Sequence, residues 1–247
     1  MNIKQYLDST YLKTAQQAAI SENQNLEIVK NTIQEAIDNE FKLIMIRPEM
    51  VSLAKEMIKN QQSKVTIGTV IDFPAGSAST QEKITEAKSA IEDGADDLDF
   101  VIDYMAFKNG ELDKVKHQVL ECTKLGIEHH KIVKWIIEVA ALTNEEIVKI
   151  SALIKNVIIA NFKEDVYEKV FVKSSTGFYK TQNNLPNGAT VETIKLMLEN
   201  ASPLPVKAAG GVRTFLEAVE MINLGVKRIG TSAAKTIAYG KTANSDY

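Results

Sequence analysis

The feature that most constrains the fold is a regular alternation between short apolar runs and longer amphipathic stretches. The amphipathic stretches carry apolar residues at the three- and four-residue spacing of a helix. The short runs, apolar on both faces and rich in β-branched residues, lie at 43–46, 65–71, 98–102, 131–138, 170–173, 205–209 and 227–230, with an eighth at 5–10. Strands that alternate with helices in this way predict a parallel sheet covered by helices.

The number of units favours a closed (β/α)8 barrel over a doubly wound sheet. Seven or eight strand–helix units in 247 residues match the usual size of such a barrel. No linker rich in Pro, Gly and Ser divides the chain. We therefore predict an α/β fold with a single domain over residues 1–247. Residues from about 242 to 247 are small and polar except the last, which is typical of a flexible tail.

Local signals predict several helix ends. Thr143 with Glu146, and Thr214 with Glu217, have the spacing of a capping box, which begins a helix. Glycine near the end of a helical stretch commonly stops the helix. We expect this of Gly94, Gly126 and Gly225.

Composition and charge exclude several functional classes. The chain has 29 basic and 32 acidic residues, a net charge of -3, which argues against an electrostatic nucleic-acid binder. No run approaches the ~18 apolar residues of a membrane span, and no signal peptide is present, so a cytoplasmic location is expected. The single cysteine, Cys122, excludes a disulfide framework, and we expect it to be a buried apolar residue. We predict no metal site, because the histidines lie on a helix or its exit: His117, His129 and His130.

Polar residues inside the predicted barrel, or at the carboxyl ends of its strands, are the candidates for an active site. Three of them are lysines on separate strands, although lysine is almost never fully buried unless it is paired. One such lysine could extend its amine to an edge of the sheet, but three would each need a separate route to water. The candidates are Asp8, Asp99, Lys134, Glu138, Lys173, Lys207 and the pair Gly210–Gly211.

A buried cluster of lysines indicates nucleophilic chemistry. Burial and a neighbouring positive charge both disfavour protonation of an amine, which then attacks carbonyl groups near neutral pH. The resulting Schiff base withdraws electrons and stabilises an adjacent carbanion, as in an aldolase that uses no metal and no cofactor. Asp99 is a candidate both for moving protons and for pairing with a lysine, and these two roles are compatible.

Two glycine-containing loops predict a phosphate site. Gly210 and Gly211 precede a helix, and glycine lets a phosphate approach the backbone closely at a helix N-terminus. Thr231 and Ser232 follow the last strand and offer a second set of backbone amides. In (β/α)8 barrels the loops after the last two strands commonly hold phosphate.

Three segments of the chain resemble motifs of the deoxyribose-phosphate aldolase family. They are residues 172–178 (VKSSTGF), 206–213 (VKAAGGVR) and 94–100 (GADDLDF). Residues 7–13 and 132–138 are similar to the first and fifth strands of that family. The resemblance covers nearly the whole chain in order, and the two lysine motifs together are highly specific.

The resemblance implies a role for individual residues. Lys173 would form the Schiff base, Lys207 would depress the pKa of Lys173 and take part in proton transfer, and Asp99 would shuttle protons. Tyr247, the last residue, would reach into the site and assist protonation of the enamine. Gly177 would join the phosphate-binding loops. Supporting positions would be Asp8, Lys134 and Glu138.

The implied activity is that of a class I aldolase of the lyase class. It would reversibly cleave 2-deoxy-D-ribose 5-phosphate to D-glyceraldehyde 3-phosphate and acetaldehyde, in deoxyribonucleoside catabolism. The expected partners are this phosphorylated sugar and a second copy of the chain in a homodimer. We expect no cofactor, no nucleic acid and no membrane.

Departures from the family pattern bear on substrate preference more than on reaction type. Ala209 stands where a serine commonly precedes the glycine pair, Met45 stands where some members have cysteine, and residues 72–77 are only loosely similar.

Two alternative functions stay open. One is a Schiff-base aldolase of the same fold that acts on a different phosphorylated sugar. The other is a phosphate-binding barrel without covalent chemistry, either an isomerase or a binding module.

Overall fold

Eight parallel strands pair in chain order and close into a barrel, in the computed structural model that describes residues 1–182 and 185–240. The first strand pairs with both the second and the last, so the sheet has no edge. Numbered β1 to β8 along the chain, the strands span Leu7–Thr10, Leu43–Ile46, Thr66–Ile71, Asp97–Val101, Ile132–Ile136, Val170–Lys173, Val206–Ala209 and Arg228–Thr231. The predicted (β/α)8 barrel is confirmed, including its eighth strand.

Helices surround this barrel. Within the described residues, α1 to α11 span Ala15–Ala18, Glu22–Asp38, Val51–Asn60, Thr80–Asp93, Tyr104–Lys108, Leu112–Glu128, Asn144–Asn161, Glu164–Tyr167, Val191–Ala201, Phe215–Leu224 and Ala234–Ala238. Short 3-10 helices span Ile3–Tyr6, Pro48–Met50 and Val139–Ala141. None of the helices found in 1–182 and 185–240 combines the length and apolar character needed to span a bilayer.

The predicted capping signals form as expected, with one exception among the glycines. The side chains of Thr143 and Thr214 each accept the backbone N–H three residues on, and so begin α7 and α10. Gly94 and Gly225 end α4 and α10 in the left-handed region, with φ of 109° and 116°. The prediction that Gly126 ends its helix is wrong, because α6 continues to Glu128. A Cβ on Gly126 would lie 2.3 Å from Val133 Cγ2, so this glycine lets α6 approach β5.

The two faces of each strand differ in character. On β4, Leu98 and Phe100 pack into the apolar core between the strands and the helices. Phe100 stacks on Trp135 of β5 with ring centroids 5.2 Å apart, and the indole N–H of Trp135 donates to Thr123 Oγ1 of α6. Residues of the opposite parity, such as Asp99, lie on the inner face of the barrel.

The inner face of the barrel is apolar only at β2 and β3. Leu43 and Met45 of β2 and Val70 of β3 form a small cluster with Leu12, and the rings of Phe73 and Phe178 pack against it. The expectation of strands that are apolar on both faces is wrong for the remaining strands, which place charged side chains inside. In a closed eight-stranded barrel the inner positions must be filled by side chains, and here charged pairs fill them.

Candidate active site

Among the described residues, seven charged side chains meet inside the barrel. Their exposed fractions lie between 0% and 6%. A buried charge is costly unless it is paired and hydrogen-bonded, so their contacts decide the protonation state of each group. The seven are Asp8 on β1, Asp97 and Asp99 on β4, Lys134 on β5, Lys173 on β6, Lys207 on β7 and Arg228 on β8.

Asp99 is the common partner of the three lysines. Its Oδ1 accepts from Lys134 Nζ at 2.8 Å. Its Oδ2 accepts from both Lys173 Nζ and Lys207 Nζ at 2.9 Å. Strand register produces this arrangement, because Lys134 lies opposite Asp99 and Lys207 lies opposite Lys173.

The remaining carboxylates bind Arg228 and the two lysines other than Lys173. Asp8 pairs with Lys207 Nζ at 2.6 Å and accepts from Arg228 Nε at 2.7 Å. Asp97 pairs with Lys134 Nζ at 2.6 Å and lies 3.5 Å from Arg228 Nη2. Lys134 and Lys207 therefore each contact two carboxylates.

The pKa values of these groups follow from their contacts. Burial lowers the pKa of Lys173 from 10.5 to about 8, with Asp99 opposing the shift and Lys207 and Lys134 adding to it. Burial also favours the neutral amine of Lys134, but Asp97 and Asp99 outweigh burial and raise the pKa of that lysine. Burial opposes ionisation of Asp99, yet the lysines hold its pKa well below the ordinary value.

The balance of charge allows one of the lysines to be neutral. Four cations and three carboxylates leave one positive charge in excess when all seven groups are ionised. Loss of a proton from Lys173 gives three of each. The site can therefore hold a neutral amine at Lys173 while the other charges stay paired.

Side chains tie together the loops that follow β6, β7 and β8. Ser174 Oγ donates to the carbonyl of Ala209 at 2.8 Å and accepts from the backbone N–H of Ala209 at 2.9 Å. Thr231 Oγ1 donates to the carbonyl of Val212 at 2.7 Å and accepts from the N–H of Ala233. These bonds fix the three loops beside one another at the carboxyl end of the barrel.

The glycines of these loops adopt positive φ. Gly177, Gly210 and Gly211 have φ of 78°, 80° and 90°, a region that favours glycine. The N–H of Gly177 faces Ser175 Oγ at 3.2 Å. Gly211 is exposed, and so is Ser232 in the next loop, whereas the hydroxyl of Thr231 is already used within the structure.

Glu138 lies outside the charged network and binds the loop after β6. It is 1% exposed and has φ of 57°. One carboxyl oxygen contacts Ser175 Oγ at 2.5 Å, and the other accepts from the hydroxyl and the backbone N–H of Thr176. Burial raises the pKa of Glu138, against the effect of these hydrogen bonds and of Lys173.

The structure brings together five of the residues singled out in the sequence: Asp8, Asp99, Lys134, Lys173 and Lys207. Tyr247 lies outside the described residues. Asp97 and Arg228 belong to the network but were not predicted. Asp97 precedes Asp99 by two residues and so shares its strand face, which was a usable signal. In the described residues, no group of three or more His, Cys, Asp or Glu side chains has the arrangement of a metal site.

Comparison with known proteins decides the family. Residues 4–232 match the model of the family described as DeoC/LacD family aldolase. The chain belongs to the DeoC/LacD aldolase family. It is thus an aldolase, an enzyme of the lyase class.

Relatives named deoxyribose-phosphate aldolase align with nearly the whole chain. A deoxyribose-phosphate aldolase of Thermococcus gammatolerans is 40% identical over 241 residues, 97% of this chain and 96% of the relative. One from Staphylococcus saprophyticus is 39% identical over 248 residues and covers all of both chains.

Solved structures of aldolases share the barrel. A tetrameric deoxyribose phosphate aldolase from Aeropyrum pernix superposes with a TM-score of 0.75 at 27% identity, over 96% of this chain and 89% of that one. A structure described as QR15, an aldolase, gives 0.78 at 30% identity, over 97% and 95% of the two chains.

Proposed function

We propose that this aldolase reversibly cleaves 2-deoxy-D-ribose 5-phosphate to D-glyceraldehyde 3-phosphate and acetaldehyde through a Schiff base on Lys173. The observation that carries the proposal is the pairing pattern of Lys173. Its buried amine has a pKa of about 8, contacts Asp99 and lies beside Lys207. The names of the full-length relatives support the choice of substrate.

The first half of the reaction forms the Schiff base. The neutral Nζ of Lys173 attacks the aldehyde carbon C1 of the open-chain sugar and forms a C–N bond. The adduct loses water and leaves a protonated imine at C1, bonded to C2. Lys207, which contacts Asp8 and Asp99, lies beside Lys173 and lowers the pKa of that lysine, which favours the neutral amine before attack.

The second half breaks the carbon–carbon bond. Asp99 stays ionised within the lysine cluster and accepts, through a water, the proton of the hydroxyl on C3. The C2–C3 bond then breaks, its electron pair moves into the imine to form an enamine, and C3 becomes the aldehyde of glyceraldehyde 3-phosphate. Protonation of C2 and addition of water release acetaldehyde and restore the amine of Lys173.

The loops after β7 and β8 would hold the 5-phosphate. The backbone around Gly210 and Gly211 has positive φ and lies beside the loop that contains Ser232. Backbone N–H groups of adjoining loops favour an anion, and exposed glycine lets it approach closely. The sugar would thus lie between this anion site and the amine of Lys173.

The biological setting stays a prediction. A deoxyribose 5-phosphate lyase fits deoxyribonucleoside catabolism, and we retain the expectation of a cytoplasmic enzyme. The A. pernix relative is described as tetrameric. Light scattering on the purified chain would distinguish the expected homodimer from a larger assembly.

Product analysis tests the proposed activity. Purified protein incubated with 2-deoxy-D-ribose 5-phosphate is expected to release acetaldehyde and glyceraldehyde 3-phosphate in equal amounts. The Lys173→Arg variant, which keeps the charge but cannot form an imine, should release neither. Cleavage only of sugars that yield a ketone would indicate a different aldolase, and no cleavage of any phosphorylated sugar would contradict the proposal.

A further inference from the structure

The hydroxyl of Ser175 contacts two oxygens that cannot both accept its single hydrogen. Ser175 Oγ lies 2.6 Å from the backbone carbonyl of Asn187 and 2.5 Å from Glu138 Oε1. A hydroxyl has one hydrogen to donate, and a backbone carbonyl has none. When the Ser175 hydrogen points to Asn187, the contact with Glu138 is satisfied by a hydrogen on Oε1 of the carboxyl group.

The other contacts of these groups agree with this assignment. Glu138 Oε2 accepts from both the hydroxyl and the N–H of Thr176, as the carbonyl oxygen of a carboxylic acid does. Thr176 Oγ1 in turn accepts from the N–H of Phe178. Ser175 Oγ then donates once and accepts twice, from Glu138 and from the N–H of Gly177. Every donor has one acceptor.

The surroundings of Glu138 favour the neutral acid. The residue is 1% exposed, and burial raises its pKa. In the described part of the chain, two titratable groups face it from neighbouring elements: Lys173 of β6 and Tyr104 of α5. Lys173 opposes burial, because it lowers the pKa of Glu138 while it is charged.

Glu138 connects the Schiff-base strand to the predicted phosphate loop. It binds Ser175 and Thr176, two and three residues after Lys173, and Ser175 contacts Asn187. The next residue, Gly188, packs so closely on the loop after β7 that a Cβ would lie 2.4 Å from the carbonyl of Gly210.

We propose that Glu138 is a positioning residue which, as a neutral carboxylic acid, fixes the loop 174–178 against residues 187–188 and so shapes the phosphate site. Its effect on substrate binding rests on the proposed function, whereas its protonation state does not. When Glu138 ionises, the hydrogen between its Oε1 and Ser175 is lost. The loop then loosens and the phosphorylated sugar binds less tightly.

Two variants separate a neutral acid from an ionised carboxylate. In Glu138→Gln, the amide N–H₂ donates to Ser175 and the amide carbonyl accepts from Thr176, so KM for the phosphorylated sugar should stay within about twofold of the parent. Glu138→Leu loses both bonds. We expect KM to rise about tenfold with a smaller change in kcat, since a lost buried hydrogen bond commonly costs that much binding.

The pH dependence of KM tests the protonation of Glu138, because a purely structural role of this residue would not change that dependence. In the parent, KM should rise on the alkaline side as Glu138 ionises, whereas Glu138→Gln should lack this rise and keep the limb that comes from Lys173. If Glu138→Gln is impaired as strongly as Glu138→Leu, or does not fold, the proposal is wrong, because the amide satisfies every partner of the acid.

The protonation state can be measured without any substrate. In protein labelled with ¹³C at the glutamate side-chain carboxyl, one resonance should be absent from Glu138→Gln. In the parent that resonance should have the chemical shift of a neutral acid at pH 7 and move to that of a carboxylate at higher pH. A carboxylate shift at pH 7 overturns the proposal. If the chemical shift is that of a neutral acid but the protein cleaves no deoxyribose phosphate, the protonation state proposed for Glu138 is supported and the proposed function is rejected.

Discussion

Lys173 differs from the other two lysines of the barrel in how its positive charge is balanced. Within the described residues, Lys134 and Lys207 each contact two carboxylates, whereas Lys173 contacts Asp99 alone and shares it with both of them. Shared attraction does not offset full burial, so the pKa of Lys173 falls to about 8. The number of carboxylates that each lysine contacts therefore explains why Lys173 has the lowered pKa.

Removal of Lys207 should return the proton to Lys173. In Lys207→Met, the remaining cations match the carboxylates only if Lys173 is charged, so the pH of half-maximal imine formation with acetaldehyde should rise above about 8. The free energy of unfolding should fall by about 3 kcal/mol, because buried carboxylates lose a partner. Borohydride reduction across a pH series and urea denaturation measure the two effects.

A surface variant controls for the loss of one positive charge. Lys195 is exposed on α9, and Lys195→Met should change neither the pH dependence of imine formation nor the stability by a comparable amount. An unchanged profile in Lys207→Met would mean that Lys207 does not set the pKa of Lys173.

Single site residues could be predicted from the sequence where a charged residue interrupts the apolar pattern of a strand. A lysine in an apolar strand is conspicuous, and Lys134, Lys173 and Lys207 were found in that way. Arg228 was not identified, because it begins a short strand and looks like an ordinary polar flank. Its partner Asp8 lies 220 positions away in the chain, and only closure of the barrel brings the two together.

At the scale of elements, the neighbouring strands β7 and β8 place the glycine loop beside the last loop. Ala209 lies opposite Gly230, and a Cβ on Gly230 would lie 3.1 Å from Lys207 Cε. Glycine at this position therefore leaves room for the side chain of Lys207 to cross the inner face.

A negative charge at Gly211 should weaken binding of the phosphorylated sugar. Gly211→Asp places a carboxylate where we expect the phosphate, and repulsion of about 1.4 kcal/mol already raises KM about tenfold. Gly211→Asn has nearly the same shape and the same strain at positive φ, and so isolates the effect of charge. Steady-state KM values for 2-deoxyribose 5-phosphate and unphosphorylated 2-deoxyribose measure it. If Asp and Asn affect both sugars equally, the phosphate binds elsewhere.

Strands and capped helix starts were predictable because their signals are local. The capping boxes at Thr143 and Thr214 need only residues three apart. Gly126 shows the limit of such local signals. Its role is to let α6 pack on Val133 of β5. In the sequence, a glycine that permits such a contact looks the same as a glycine that ends a helix.

At the scale of the whole molecule, the closed barrel buries a lysine whose charge it disfavours, and stability should therefore depend on pH. The pKa of Lys173 is about 8 in the folded protein against 10.5 ordinarily. Between these values the unfolded chain binds more protons, so the free energy of unfolding rises with pH through this window.

The size of this effect can be isolated by substitution. The Lys173→Met variant should lack this rise. The free energy of unfolding of the parent, relative to that of the variant, should therefore increase by about 3 kcal/mol from pH 7 to pH 10.5. Urea denaturation at a series of pH values provides the measurement. Parallel curves for the two proteins would mean that the pKa of Lys173 is not depressed by folding.

The role expected for Tyr247 stays a prediction, since this residue lies outside the described part of the chain. Its interest came from the family resemblance and from an aromatic residue at the end of a polar segment. A role that depends on contacts between distant parts of a chain is not specified by a local sequence pattern.

Trapping of the covalent intermediate tests the central claim most directly. Protein is incubated with acetaldehyde and reduced with borohydride, which converts the imine into a stable N-ethyl lysine, and peptide mass mapping then locates the ethyl group. We predict modification at Lys173 in the parent and none at this position in Lys173→Arg. An ethyl group on Lys134 or Lys207 instead, or no modified lysine inside the barrel, would contradict the account.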